Sequence, residues 1–584
     1  MLFDLLPHIQ SQLEPQLGHR AVACALLLLI ATAFWLRYTA QRHAYLQFRA
    51  DQLDQTTQTS GSLRPQTNKS GFKAPPTFPY VFPFLGSLPL GYLWGPGSFV
   101  LNPNNFFQSP HPVRVKILHQ EVYIVQGARN LNRLFIESVW CTAIPFVKYA
   151  LGRAFGLPAK ALRVYDNDDS GGLAAPLPGS KVRPEQRIDY LTHKSLVTFL
   201  EGPGLSPLWH RVERATLQTT AALKKQIGPD WEHRADLMEF VGTPSATAFL
   251  NSLCGPYLLQ LNPTFVRDYW DFDRNLQTYL QGIPRLFAPK AYGVQKRVLA
   301  AVKAWHQHAR DNYTPSGAHD NSDDPYWGSR FFRDRQDMFD KMDGFDHDAV
   351  ASADFGFIWA ARNSIGASSW ALLEIYKDPD LLARVRAEVD AAALQVDEGI
   401  AFDLDQLLRS PWLQAVYAEI LRLRMHFFVV RMGDRRDLSI QDWIIPKHKV
   451  VVALTTAAHM DTAVWQHEDQ PPVDQFWPAR FLTGPAQNVF SVKAYGDAWM
   501  PYGGGPRICP GRHLAKRQIL YTVACMVHDF DIDMMDGGKH VKEDLSLWGF
   551  GNGISHPAGK VPMRIRRRPN PPPGRVVEKK NAAS

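Results

Sequence analysis

Seven of the eleven residues from Pro501 to Gly511 are glycine or proline: Pro501, Gly503, Gly504, Gly505, Pro506, Pro510 and Gly511. Proline lacks an amide donor and glycine resists ordering, so no regular element runs through this stretch. The other four are Tyr502, Arg507, Ile508 and Cys509. Beyond them the pattern becomes periodic and predicts a helix over roughly 511–528. A lone cysteine is therefore fixed on a stiff loop at a helix N-terminus. There the macrodipole and the free amides favour thiolate over thiol.

The rest of the chain reads as the setting for that loop. Of 584 residues, 45% are hydrophobic and 12% aromatic, which excludes a largely disordered polymer. No fixed-period repeat is present. Ser410 followed by Pro411 opens a helix to about 424. Asp378 opens another to about 393. A long segment over 347–376 is apolar all round except for Arg362, Asn363 and Ser364, the pattern of a helix crossing the middle of a large domain. Strand-like alternation is confined to a hairpin over 113–126 and a second over 438–454, with its turn at Pro446, Lys447 and His448. Residues 164–186 and 311–346 read as hydrophilic surface insertions. The fold class is one large, mainly α domain with a minor β-sheet.

One N-terminal transmembrane helix precedes it. Residues 21–38 carry no charge before Arg37, and Arg20 and Arg37 flank the span. Arg37, Arg42 and Arg49 outnumber the positive charges before the helix, so the positive-inside rule places the body in the cytosol and residues 1–20 in the lumen. Residues 39–90 read as a linker with a proline-rich hinge, 91–568 as the body and 569–584 as a flexible tail beside the basic cluster Arg564, Arg566, Arg567 and Arg568. Five cysteines without Cys-x-x-Cys spacing argue against a disulfide scaffold or structural zinc. The net charge of +8 serves solubility, an acidic protein partner or an anionic membrane face; no aromatic-interleaved basic module points to nucleic acid.

A thiolate on a glycine-rich loop suits haem iron, which it enriches in electrons so that O–O cleavage is favoured. Arg507, two residues away, offers a fixed charge to an anionic group on that ligand. The stretch Tyr502-x-x-Gly505-x-Arg507-x-Cys509-x-Gly511 resembles the cysteine-ligand signature of the cytochrome P-450 monooxygenases, with Tyr502 where the family usually has phenylalanine. Glu419-Ile420-Leu421-Arg422 resembles the family's Glu-x-x-Arg motif, and Phe476 to Phe481 its middle motif. The resemblance implies the cytochrome P-450 fold. It also implies haem b with an axial thiolate from Cys509, a structural network of Glu419, Arg422 and Arg480, and contacts to haem from Tyr502, Gly505, Arg507 and Gly511.

Finer features resemble the branch containing the sterol 7α-hydroxylases and prostacyclin synthase. No proline soon follows Glu-x-x-Arg, Cys509-Pro510-Gly511-Arg512 matches, and Arg431 would by analogy reach a haem propionate. The family's proton-relaying acid and alcohol align with Asn363 and Ser364; an asparagine cannot supply an acidic proton, so delivery falls to waters around both. The family's Trp-x-x-x-Arg pair has Trp209 but Glu213, with Arg211 and Arg214 beside it, and stays unassigned. No nucleotide-binding Gly-x-Gly-x-x-Gly is present, so the resemblance implies electrons from NADPH-cytochrome P-450 reductase. The expectation is a single-pass protein of the endoplasmic reticulum membrane. It inserts one oxygen atom from O2 into a lipophilic substrate, a sterol, terpenoid or other secondary-metabolite scaffold. The alternatives are a haem-thiolate isomerase or dehydratase acting on a peroxide without reductase, and a non-enzymatic haem sensor or carrier.

Overall fold

The helix expected over 347–376 is two helices, His347–Ala360 and Arg362–Lys377, in the computed structural model of the chain. Asn363 Nδ2 donates to Ala360 O at 3.1 Å and Ser364 Oγ to Ala361 O at 2.9 Å. Such side-chain bonds to backbone carbonyls bend helices, so the polar patch is the break. The structure describes residues 6–58, 73–82, 86–87, 95–102, 105–109, 111–118, 120–314, 323–396, 399–467 and 469–576.

The second half of this broken helix packs against Leu237–Cys254, Pro411–Arg424 and Arg512–Asp529. Their shared interior holds Trp305, Trp370 and Trp465, all at or below 2% exposure, in one continuous apolar core. Asp378 caps Pro379–Ala392 by accepting from the amides of Asp380 and Leu381. The main sheet runs Val113–Ile117, Gln120–Val125, Val450–Leu454, Met425–Gly433 and Asn552–Ile554 in spatial order, with Cys141–Thr142 also on Met425–Gly433. The first pair is the expected antiparallel hairpin, Val113 opposite Ile124.

Elsewhere the sequence expectations change. Residues 438–454 are not one hairpin. Leu438–Ile440 pairs with Trp443–Ile445 about a turn where Gln441 has φ 53°, and Pro446 separates this ribbon from Val450–Leu454, which joins the main sheet. Within 311–346 the helix Arg330–Phe339 buries Phe331, Phe332 and Phe339, so that part belongs to the core. The basic cluster is paired: Arg568 holds Asp390 through two bonds of 2.9 Å, Arg564 meets Asp533 and Arg566 meets Asp531. Arg575–Val576, in the expected tail, pairs with Ala393–Val396.

One helix among the described residues, Ala21–Ala50, is long and apolar enough to cross a membrane. It belongs to a helix that runs from Leu6 to Gln58, well into the expected linker. Tyr45 is only 5% exposed and packs on Phe78, while Phe48 packs on His111 and Trp443. Arg37 Nη2 donates to Tyr80 Oη at 2.7 Å and lies over its ring. Tertiary contacts therefore keep this polar stretch helical where its composition suggests a linker.

Candidate active site

The glycine run is shaped by its neighbour. Gly503 and Gly505 have φ of 73° and 65°, open only to glycine at low cost. A Cβ on Gly505 would lie 2.6 Å from Phe135 O, and one on Gly504 would lie 2.5 Å from the Phe135 ring. The loop thus presses its backbone onto the helix Ala128–Glu137. Cys509 follows, its amide donating to Tyr502 O at 3.0 Å. Desolvation by the atoms packed around the sulfur pushes the thiol's pKa up, although the residue keeps exposed surface, and outweighs the amides of Gly511 and Arg512 that point at the sulfur and the Arg512 cation, which pull it down. The helix N-terminus alone does not make the thiolate; a metal cation on the sulfur does, because it deprotonates a coordinating thiol outright.

Tyr502 finds a partner for the hydroxyl it carries. Its Oη lies 2.9 Å from Tyr417 Oη on Pro411–Arg424. Burial, then the facing hydroxyl, drives the Tyr502 pKa well up, so the pair stays protonated. The same helix carries Glu419 and Arg422, joined by two bonds of 2.7 and 2.8 Å with neither side chain exposed. Arg480 Nε lies 3.5 Å from Glu419 Oε1, and Trp477 N donates to the same oxygen at 3.1 Å. Arg422 also donates to His459 O at 2.9 Å and Val473 O at 2.7 Å. His459 Nε2 accepts from Met500 N at 3.1 Å, so this buried network reaches the start of the cysteine loop.

The family model described as Cytochrome P450 matches residues 266–557. Two fungal proteins are each 32% identical over 531 residues, 85% of this chain: cytochrome P-450 monooxygenase efuG of Hormonema carpetanum, covered over 91% of its length, and fsoE of Humicola fuscoatra, covered over 88%. Cytochrome P-450 monooxygenase calL of Penicillium decumbens is 28% identical over 437 residues, 73% of this chain and 79% of its own. The chain belongs to the cytochrome P-450 family.

A cytochrome P-450 is an oxygen-incorporating oxidoreductase whose haem iron is held by a cysteine thiolate. The donors around the cysteine loop fit haem carboxylates. Arg431, on Met425–Gly433, donates Nη1 to Val430 O, and among the described residues its buried Nε has no partner. Burial and the neighbouring Arg507 lower its pKa. Arg507 Nη2 donates to Asp189 Oδ2 at 2.6 Å. One turn along the helix Ile188–Leu200, His193 has a buried Nε2 without a partner, and burial with Arg507 holds its pKa near 4. Asp189 and His193 lie just beyond the expected insertion over 164–186, where no motif singles them out. Their i, i+4 spacing on one helix face was the available signal. Trp209 lies elsewhere, packed edge-on against Tyr521, and Arg211 is engaged by Ser252 O and Ser329 Oγ.

The two polar residues of the broken helix part company. Asn363 is bound on both sides, its Nδ2 to Ala360 O and its Oδ1 accepting from Ile554 N at 2.9 Å. Ser364 is 6% exposed and reaches Gln518 Oε1 at 2.6 Å, on the cysteine helix. Behind them a cleft of about 510 Å³ is walled by Trp270, Trp370, Trp548 and His556 and excludes Cys509. There Asp273 ties Arg362 to His556, at 3.0 and 2.6 Å. Burial would raise the Asp273 pKa, but the Arg362 cation and the hydrogen bond to His556 bring it below its ordinary value.

Proposed function

We propose that this chain is a haem-thiolate monooxygenase of the endoplasmic reticulum membrane that inserts one oxygen atom from O2 into a lipophilic secondary-metabolite scaffold, a sterol or terpenoid. The carrying observation is Cys509 itself, on a loop that admits only backbone, with two amides aimed at its sulfur. Bound through that sulfur, haem supplies O2 activation. Arg431, Arg507 and His193 are the donors for its carboxylates. Tyr502, fixed by Tyr417, Gly505 and Gly511 shape the loop. Ser364 holds the oxygen-side proton position. Its hydrogen is shared between Ala361 O and Gln518 Oε1, which leaves its lone pairs to orient water. Glu419, Arg422 and Arg480 hold the loop in place and touch no substrate.

The N-terminal helix supports the membrane assignment, with residues 91–568 as the cytosolic catalytic body and NADPH-cytochrome P-450 reductase as the electron donor. The sterol 7α-hydroxylase and prostacyclin synthase branch stays as a finer proposal, resting on the missing proline after Glu-x-x-Arg and on Arg431. Fungal relatives named as cytochrome P-450 monooxygenases support the monooxygenase reading. The test is the ferrous carbon monoxide spectrum: wild type gives the red-shifted Soret band of thiolate ligation, and Cys509→Ala abolishes it. A wild type lacking that band overturns the proposal.

A second reading has one observation in its favour. Asn363 offers no acidic proton and is bonded on both sides, so an isomerase that needs no proton delivery fits this helix as well. Product formed from a lipid peroxide without NADPH or reductase would select it.

A further inference from the structure

Residues 168–189, which run from the expected surface insertion over 164–186 into the helix beyond it, form a buried latch over one side chain of the cysteine loop. Asp168 Oδ1 accepts from Ser170 N at 3.0 Å and from Ser170 Oγ at 2.6 Å. Its Oδ2 accepts from Asp189 N at 3.0 Å. Arg187 Nε donates to Ser170 Oγ at 3.1 Å and Nη1 to Ala174 O at 2.7 Å. Leu177 N closes the turn onto Ser170 O at 2.8 Å. Asp168, Ser170, Arg187 and Asp189 are each at or below 7% exposure. Three charges and a hydroxyl out of water, each bonded, make a built segment and not a loose excursion.

What the latch holds is Arg507. Asp189 Oδ2 takes its Nη2 at 2.6 Å. Gly172 lies against the same atoms. A Cβ built there would be 1.6 Å from Arg507 Nη2, 2.6 Å from Cζ and 2.9 Å from Asp189 Oδ2. A positive φ does not explain this glycine, since Gly172 is absent from the positive-φ glycines that include its neighbour Gly171. The position is glycine because the guanidinium fills the space of a side chain. Arg507 is thus clamped between a carboxylate and a bare backbone, and Nη2 is committed. Among the described residues its Nε and Nη1 have no partner, and their N–H groups stay available as charged donors to a carboxylate.

We propose that residues 168–189 are a strap that sets the rotamer of Arg507, with Asp189 and Gly172 as positioning residues for haem retention. The proposal rests on the haem-thiolate reading above and adds a role for a segment whose Asp189 and Gly172 touch Arg507. The test follows haem transfer to excess apomyoglobin from the full-length holoprotein, in wild type, Gly172→Ala, Arg507→Lys and the double variant. Gly172→Ala displaces the guanidinium and should release haem roughly tenfold faster, the loss of one charge-assisted hydrogen bond. In the Arg507→Lys background the narrower ammonium leaves room for the methyl group, so the same change should leave the rate unaltered. An unchanged rate for Gly172→Ala in wild type overturns the proposal. So does an equal acceleration in both backgrounds, which would mark general damage to the segment. The thiolate Soret band is recorded in every variant, so loss of the haem-thiolate reading itself is seen separately.

Discussion

Replacing Arg422 by methionine tests how much of the fold hangs on one buried cation. Neither Arg422 nor Glu419 exposes any side-chain surface, so no water compensates a lost partner. Methionine removes both bonds to Glu419 and the bonds to His459 O and Val473 O. Glu419 keeps only Trp477 N and the Arg480 Nε contact at 3.5 Å. Breaking a buried pair in this way costs about 3–5 kcal/mol. An unfolding entropy of about 2.1 cal/mol/K per residue gives roughly 1.2 kcal/mol/K for a chain this long, so Tm should drop by about 3–4 °C. Arg480→Met leaves the Glu419–Arg422 pair whole and removes bonds to Trp465 O and Gln470 Oε1, so its drop should be about half as large. Calorimetry of holoprotein at several scan rates reads both. If Arg422→Met melts within 1 °C of wild type, or Arg480→Met is the worse of the two, the reasoning from burial fails.

Two further expectations concern the loop's supports. His459 must be neutral to accept from Met500 N, and burial, then Arg422, holds its pKa at about 3. The unfolded ring titrates near 6.5, so the unfolded chain binds more protons below that pH and stability is lost as pH falls from 6.5. At pH 5 the loss is roughly 2 kcal/mol. His459→Gln keeps an acceptor without titrating, and its Tm should therefore depend less on pH between 6.5 and 5. For the tyrosine pair, Tyr502→Phe strands the buried Tyr417 hydroxyl and should cost about 1–2 kcal/mol. Adding Tyr417→Phe should recover part of that loss, and a purely additive double variant would argue against the bond.

The cysteine loop, the helix starts at Pro379 and Pro411 and the Glu-x-x-Arg helix were legible because each is a local pattern: glycine and proline spacing, Asp378 and Ser410 before a periodic run, and an i, i+3 ion pair, although only Asp378 caps through its side chain while Ser410 Oγ donates to Gln406 O. Groups assembled from separate elements were not. Gln518 lies on the cysteine helix and meets Ser364 only because two helices cross. Tyr417 looked like an ordinary core tyrosine until Tyr502 faced it. Trp209 stayed unassigned because one tryptophan on a helix carries no register. The basic residues Arg564, Arg566 and Arg568 looked solvated because their partners Asp533, Asp531 and Asp390 lie outside the cluster itself.

On the proposed membrane anchoring, the docking of the N-terminal helix by Tyr45, Phe48 and Arg37 changes what the anchor would be. A tethered body would swivel freely above the bilayer. A body bolted to the upper end of its own mast inherits the mast's tilt, and every approach route for a membrane-dissolved molecule keeps one heading relative to the lipid surface. Trimming the chain at residue 60 to obtain a soluble enzyme would strip the bolt and bare Phe78, His111 and Trp443 together, whereas a cut near residue 36 would keep the joint dry.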